Sequence, residues 1–535
     1  MHKLASALSS QHRARVIVPR LIAVLAIAVA GAVQADDVTY DSALAIGNSL
    51  ADEIAGIAID AFGNIYAVGD FSGTVDFNPG PGFANVQAIN DSVFLLKLDS
   101  GGGLVWVEIA MDSEETVDLQ AIRTDAAGNL YLIGQFTGTL GFGPGGPPLT
   151  GPGGEDIFVG KFNSEGSQLW VKAMGGTLDD AGLGIATDAF GNTYTTGQFQ
   201  GTADFDPGIG TFELTSVGST DIFVQKLDTD GELLWAKAIG GEGDDSGSDI
   251  ASDPAGNAYI TGAFADTVDF DPALPEQLRT SVGATDAFVL MLDAAGNFNW
   301  VETDGDSGND HGISVTTNSD ANVYTAGNVS GDISIAKRNE TGTVEWSKTP
   351  GGTGDDSAQT ITVDSQGNTY TAGYFEDTVD FSAGAATEIL TSEGSTDTFI
   401  TKHDSTGTLL WARAFQGAGE NDASDIHLSA DQSIVIAGQF ASTTDFDPSD
   451  ATAALTSNGA TDIFIAKLTQ QTETLGDPNG DGLINSTDAL WIIQSEFGLR
   501  DLLPLETCDL NNDGLCNSTD ALWAIQIEFG LRDAP

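Results

Sequence analysis

The stretch Thr220–Phe264 reads TDIFVQKLDTDGELLWAKAIGGEGDDSGSDIASDPAGNAYITGAF. It holds four short runs that pattern as strands, each bounded by turn residues. DIFVQKL and LLWAKAI are rich in β-branched and aromatic residues, which suit a pleated, half-buried surface. DTDGE and DPAGN supply the Asp, Gly, Pro and Asn that tight turns use for positive or preset φ. One copy makes a small four-stranded sheet with two apolar faces. It cannot bury both faces alone, so copies must pack on one another.

The copies are countable. The GN-x-Tyr-x-x-Gly element recurs at Tyr66, Tyr131, Tyr194, Tyr259, Tyr324 and Tyr370, with a decayed copy at Val435. The Trp strand recurs at Trp106, Trp170, Trp235, Trp300, Trp346 and Trp411. That is seven of one element and six of the other. The seventh Trp-type strand lies at the front: Tyr40–Ile46, with Ser42 in the Trp slot. The last repeat stops after Asp462–Leu468 and lacks this strand. A stacked β-solenoid gives no reason to split one repeat between the two ends. A closed ring does, and closure removes long exposed sheet edges. The expected fold is mainly β: a seven-bladed β-propeller closed by the N-terminal strand. Across Asp37–Leu468 the pattern resembles the bacterial propeller repeats called SBBP repeats, on DIFV-x-KLD, the Trp strand and GN-x-Y-x-x-G-x-F.

Closure fixes strand order. Each Trp strand becomes outermost, and the strand after it, such as Ser248–Asp253, innermost. GSDIASD is full of small residues, as a crowded axis requires. Two sets of connections then share one face. The first carries Glu115, Asp179-Asp180, Asp244-Asp245, Asn309-Asp310, Asp355-Asp356 and Glu420-Asn421. The second carries the GT-x-DF-x-P insert with Asp76, Asp204, Asp206, Asp269, Asp271, Asp380, Asp445 and Asp447. This acidic face is the expected binding face. Its carboxylates have two readings, turn formers that also solubilise the surface or ligands for further calcium ions on the propeller. Glycoside cleavage by paired carboxylates is disfavoured, because a catalytic pair is not expected in nearly every blade. The fifth repeat lacks the insert and runs NVSGDISIAKRN, leaving a gap in the rim beside His311.

Gly305-Asp306-Ser307-Gly308, with His311 nearby, imitates a serine-protease nucleophile region. It stands in register with GGEGDDSG after Trp235, so it reads as a repeat echo. The three histidines beyond the leader, His311, His403 and His427, fall in no triad context. No phosphate loop, zinc spacing or nucleophile elbow occurs. No catalytic residue is assigned.

Residues 1–35 carry Lys3, Arg13, Arg15 and Arg20, no acidic residue, and the apolar run Leu21–Val33 ending Ala-Val-Gln-Ala. This is the pattern of a signal peptide for the general secretion route. The apolar run is short for a membrane span. The chain has 19 basic and 78 acidic residues, a formal net charge of -59. Such a surface repels nucleic acid and anionic lipid.

After the propeller (36–468) and a linker (469–476), residues 477–535 form a separate domain. Asp477, Asn479, Asp481, Asn485 and Asp488 place oxygen side chains at positions 1, 3, 5, 9 and 12 of a calcium loop, with Leu483 offering its carbonyl. The pattern returns as Asp509, Asn511, Asp513, Leu515, Asn517 and Asp520. Two ions are therefore expected. Each loop precedes a helical run, ALWIIQSEFGLR and ALWAIQIEFGLR, with Leu490, Ile493 and Phe497, and Leu522, Ile525 and Phe529, on shared faces. Cys508 and Cys516 flank the second loop, and so close a pair in an exported chain is expected to bridge. The duplication resembles a type I dockerin. The resemblance implies a calcium-dependent fold and a cohesin-like partner, recognised through Ser486, Thr487, Ser518 and Thr519. Three functions follow: a secreted, non-catalytic binding protein whose propeller holds a glycan or protein ligand; an extracellular polysaccharide-acting enzyme delivered by its dockerin; or a structural surface-matrix protein.

Overall fold

The computed structural model describes Val38–Gln470 apart from residues 79, 81, 113–115, 143–147, 272, 274, 383–387 and 450, together with Ala489, Trp491, Ile492, Ala521 and Ala524. The chain divides into two units, one spanning Val38–Gln470 and the other Met1–Asp37 with Gln471–Pro535.

The first unit is a seven-bladed propeller. In the third blade, Ala181–Thr187, Thr193–Phe199, Asp221–Leu227 and Leu233–Gly241 form an antiparallel meander from axis to rim. The innermost strands of the seven blades are Glu53–Ile59, Val117–Thr124, Ala181–Thr187, Ser246–Ser252, His311–Thr317, Ser357–Val363 and Asn421–Leu428. Each lies against the next, and Glu53–Ile59 lies against Asn421–Leu428, so the ring closes. In the fourth blade the inner strand begins two residues earlier than expected and stops before Asp253, which instead organises the following turn.

Closure is made by Val38–Ile46. It pairs antiparallel with Asp462–Gln470 as the outermost strand of the last blade, from Val38 opposite Gln470 to Ile46 opposite Ile463. Ser42 faces Lys467, as Trp235 faces Lys226 and Trp411 faces Lys402. The front strand therefore occupies the Trp-strand position in register.

The repeated residues have local reasons. The glycine of Tyr-x-x-Gly sits where an added Cβ at Gly197 would lie 2.0 Å from the Ala181 carbonyl oxygen. Any side chain there would push the inner strand away. Tyrosine and tryptophan pack edge to face within a blade, with Tyr194 and Trp235 centroids 6.3 Å apart. The phenylalanine of the DF insert plugs the blade: Phe205 lies 5.1 Å from Phe223, and Phe270 5.1 Å from Phe288. The insert itself is a small hairpin, Thr202–Asp204 with Glu213–Thr215, and it pairs with the end of the preceding blade's outer strand, Ala203 opposite Gly176. The inserts thus tie neighbouring blades together. The fifth blade replaces this hairpin with the two-residue turn Ser330-Gly331, both at positive φ (54° and 82°), the geometry that matches strand twist.

Candidate functional site

The carboxylates expected to form a binding face fall into two groups. The second member of each pair is buried and used internally. Asp180 accepts the backbone N–H of Gly176 (2.6 Å) and of Gln200 (3.0 Å). Asp245 accepts Gly241 and Ala265, Asp310 accepts Asp306 and Ser330, and Asp356 accepts Gly352 and Glu376. Asp52 does the same in the first blade with Asn48 and Ser72. Each is a clasp between the outer-to-inner connection and the loop after the second strand. The insert aspartates cap their own hairpins: Asp204 accepts Asp206 and Phe212, and Asp269 accepts Asp271 and Gln277. These contacts support the turn-forming reading. Among the described residues no group of three or more His, Cys, Asp or Glu is placed to hold a metal ion. Glu115 lies outside the described residues.

The clasps carry a cost. Burial raises the carboxyls of Asp52, Asp180, Asp245 and Asp356 to about 6, against the backbone hydrogen bonds that favour their charged form. Burial beside Asp180 and Asp179 raises Asp156 to about 7.

The residues that break the sevenfold pattern lie in the central channel, and the sequence pattern did not single them out. Arg123, on the second inner strand, points between two carboxylates: its Nη2 is 3.9 Å from Asp249 Oδ1 and its Nη1 3.6 Å from Asp425 Oδ2. Asp249 also accepts the Val315 N–H (3.0 Å) and the Ser314 hydroxyl (3.2 Å). Asp425 accepts the Ile57 N–H (3.1 Å) and the Thr360 hydroxyl (3.1 Å), and His427 Nε2 is 3.4 Å away. Burial acts against the charge of both. At Asp425, His427 and Arg123 outweigh it and bring the carboxyl down to about 2. In the fourth blade Ala251 stands where His427 stands in the seventh, burial wins, and Asp249 is held above the usual carboxylate range despite Arg123.

This charged cross-brace separates two cavities. The wider, about 520 Å³, opens at the clasp-loop end and is rimmed by Glu53, Asp118 and Asp422, with Gln120, Gln359 and Tyr374 among its lining. Burial pushes up the carboxyls of Asp118 and Asp422. The narrower, about 210 Å³, lies on the other side among Thr187, Ser252, Thr316, Thr362 and His427. The wide mouth offers carboxylate and amide acceptors and amide donors around one phenol. It can bind a polar ligand.

The protease-like string is a repeat element. Asp306 N–H binds Asp310 Oδ2 at 2.6 Å as Gly241 N–H binds Asp245, and His311 Nε2 faces the Thr285 hydroxyl at 3.5 Å. The rim gap of the fifth blade is closed by the Ser330-Gly331 turn. There Arg338, fully buried, pairs with Asp304 and donates to Thr325 Oγ1.

In the C-terminal region, Ala489, Trp491, Ile492, Ala521 and Ala524 are helical, and the alanines and Ile492 are buried. The expected calcium ligands Asp477, Asn479, Asp481, Leu483, Asn485, Asp488, Asp509, Asn511, Asp513, Leu515, Asn517 and Asp520 lie outside the described residues. So do Ser486, Thr487, Ser518, Thr519, Cys508 and Cys516.

Comparison with known families places a dockerin type I domain at residues 475–527 and a beta-propeller repeat of the SBBP type at residues 234–263. The chain therefore carries a seven-bladed propeller in which one repeat matches the SBBP type, followed by a region that matches the dockerin type I domain. That domain type binds calcium, implies a cohesin partner and is typical of extracellular proteins. No described helix is long and apolar enough to cross a membrane. An uncharacterized WD repeat-containing protein of Acanthamoeba polyphaga mimivirus is 23% identical over 309 residues, 52% of this chain and 19% of that protein. The regulatory protein FlaEY of Caulobacter vibrioides is 24% identical over 199 residues, 37% of this chain and 20% of that protein. The chain thus matches about a fifth of the length of these relatives. Among solved structures, Sqt1 of Chaetomium thermophilum is 11% identical, with 78% of this chain and 86% of that chain covered and a TM-score of 0.37. The Pan2 WD40 domain of Neurospora crassa is 9% identical, with 78% and 89% covered and a TM-score of 0.37.

Proposed function

We propose that this is a secreted, non-catalytic binding protein. Its propeller takes a glycan or protein ligand at the wide mouth of the central channel, and its dockerin domain attaches it to a cohesin-like module. The observation that carries the reading is the dockerin type I match over the duplicated calcium loop. Two calcium ions, held by the loop residues named above, would order that domain, so metal binding energy becomes folding energy. The export pattern of residues 1–35 and the strongly acidic composition fit an extracellular setting. The charged groups at the centre of the channel, Arg123, Asp249 and Asp425, are engaged with one another and with backbone N–H groups, which supports binding over catalysis there.

The test is capture of the full-length chain on immobilised cohesin modules, with calcium and then with chelator. The expected result is retention in calcium and complete release on chelation. Retention that ignores calcium, or none on any cohesin, would sink the attachment reading. A glycan array and turnover assays on the same preparation separate binder from enzyme.

A further inference from the structure

Six of the seven blades carry a lysine on the third strand: Lys97, Lys161, Lys226, Lys337, Lys402 and Lys467. In five of them the lysine ammonium lies over the ring of the neighbouring tyrosine, 4.5–5.7 Å from its centroid. The third blade shows the full set of contacts. Lys226 Nζ sits 4.5 Å over Tyr194, 3.6 Å from Asp188 Oδ2 and 3.5 Å from the Ala294 carbonyl. The Trp235 indole N–H also reaches that carbonyl, at 3.3 Å. The site is a box built for an ammonium ion: an aromatic face, a carboxylate and a carbonyl.

The fourth blade keeps the box and lacks the ion. Met291 faces Trp300 exactly where Lys226 faces Trp235. Tyr259 and Asp253 repeat Tyr194 and Asp188, down to the phenol–carboxylate hydrogen bond of 3.1 Å. The Trp300 indole N–H reaches the Glu340 carbonyl at 3.0 Å, as Trp235 reaches Ala294. A thioether offers no N–H donor and no charge. In its place is a cavity of about 540 Å³ lined by Asp253, Tyr259, Met291, Asn299, Trp300 and Glu340. Glu340 adds a second carboxylate, where the third blade has Ala294.

We propose that this cavity binds an alkylammonium group supplied from outside the chain, which takes the place the lysine ammonium fills in the sister blades. The aromatic face of Tyr259 and the carboxylate of Asp253 would hold the cation, and the net charge of -59 would concentrate cations around the molecule. The same group can come from a free amine or from a lysine side chain of another protein. The site lies between the turns of the fourth and fifth blades, away from the channel, so its test is independent of the function proposed above.

The probe is butylammonium, titrated into the full-length protein at physiological salt and followed by tryptophan fluorescence and calorimetry, with butanol as the uncharged control. Wild type and Met291→Leu are expected to bind it saturably at one site. Met291→Lys supplies the ammonium internally; it should weaken binding at least about tenfold, as loss of a cation–aromatic site of this kind implies. Met291→Lys should also melt higher than wild type, a readout that confirms the variant is folded and the box filled. Acetyl-Gly-Lys-Gly-amide, run in parallel, distinguishes the sources: tighter binding than butylammonium points to a lysine of a partner, weaker binding to a free amine. No saturable binding of either probe up to about 100 mM, or equal binding by wild type and Met291→Lys, overturns the proposal.

Discussion

Asp245 and Asp249 stand four residues apart at the start of one strand, and they do different work. Asp245 recurs as Asp52, Asp180, Asp310 and Asp356, and each copy takes two backbone N–H groups, one from the segment that leaves the preceding blade's outer strand and one from the loop after the next blade's second strand. Asp249 recurs only as Asp425, because the other inner strands carry Gly56, Ala121, Gly184, Ser314 or Thr360 there. Both unique carboxylates turn toward Arg123, which itself has no copy. In a ring of similar blades, what is repeated holds the ring together. What is not repeated shapes the one place where all blades meet.

The sharpest way to break that contrast is Asp245→Ala. It strands the Gly241 and Ala265 N–H groups in a buried site, and we expect a loss of about 3 kcal/mol in chemical denaturation. Arg123→Met should cost less, about 2 kcal/mol at neutral pH, because the guanidinium is partly exposed and its carboxylates keep their backbone partners. The cost should shrink in mild acid, where Asp249 can take up a proton; an undiminished cost would show that the arginine acts by packing rather than by charge. The smallest effect is in the wild type itself. The clasp carboxyls at about 6 and Asp156 at about 7 hold a proton more tightly in the folded chain than in an unfolded one, where aspartate titrates near about 3.9. Their contribution is complete below that value and lost as pH rises through 6 to 7. Asp425, brought down to about 2, contributes the reverse: stability present above about 4 and lost toward 2. Calorimetry should therefore find the propeller melting several degrees higher at pH 5 than at pH 7.5. A melting point that rises over that interval would contradict the burial of the clasps.

The circular architecture was legible because closure leaves a count behind: six tyrosine elements and a decayed seventh at Val435, six tryptophan strands and an orphan strand at the front. Ser42 could be placed in the tryptophan slot from spacing alone, and it faces Lys467 there. The acidic loops were legible as loops, but not their wiring. A clasp joins residues twenty apart, such as Asp245 and Ala265, and period-two patterning carries no information about that. The insert hairpins pair with the preceding blade through three-residue strands, too short to announce themselves. Arg123, Asp249 and Asp425 had a usable signal. Superposing the inner strands on their turn residues puts them in columns otherwise filled by small or uncharged residues. The lone methionine among six lysines has the same kind of signature. Each is an exception that shows only after the repeats are aligned residue by residue.

The join between Val38–Ile46 and Asp462–Gln470 has a consequence for how the molecule is made. Thr39 donates its hydroxyl to the carbonyl of Thr469, 430 positions away. The front strand of the propeller must therefore wait for its partner until almost all of the disc has been synthesised. A contact so remote along the chain forms late and slowly. Until it does, the last blade presents a bare β-edge, the surface that invites association with another unfinished copy. Truncation before Asp462–Gln470 leaves that edge open, so synthesis of this one strand gates closure of the disc.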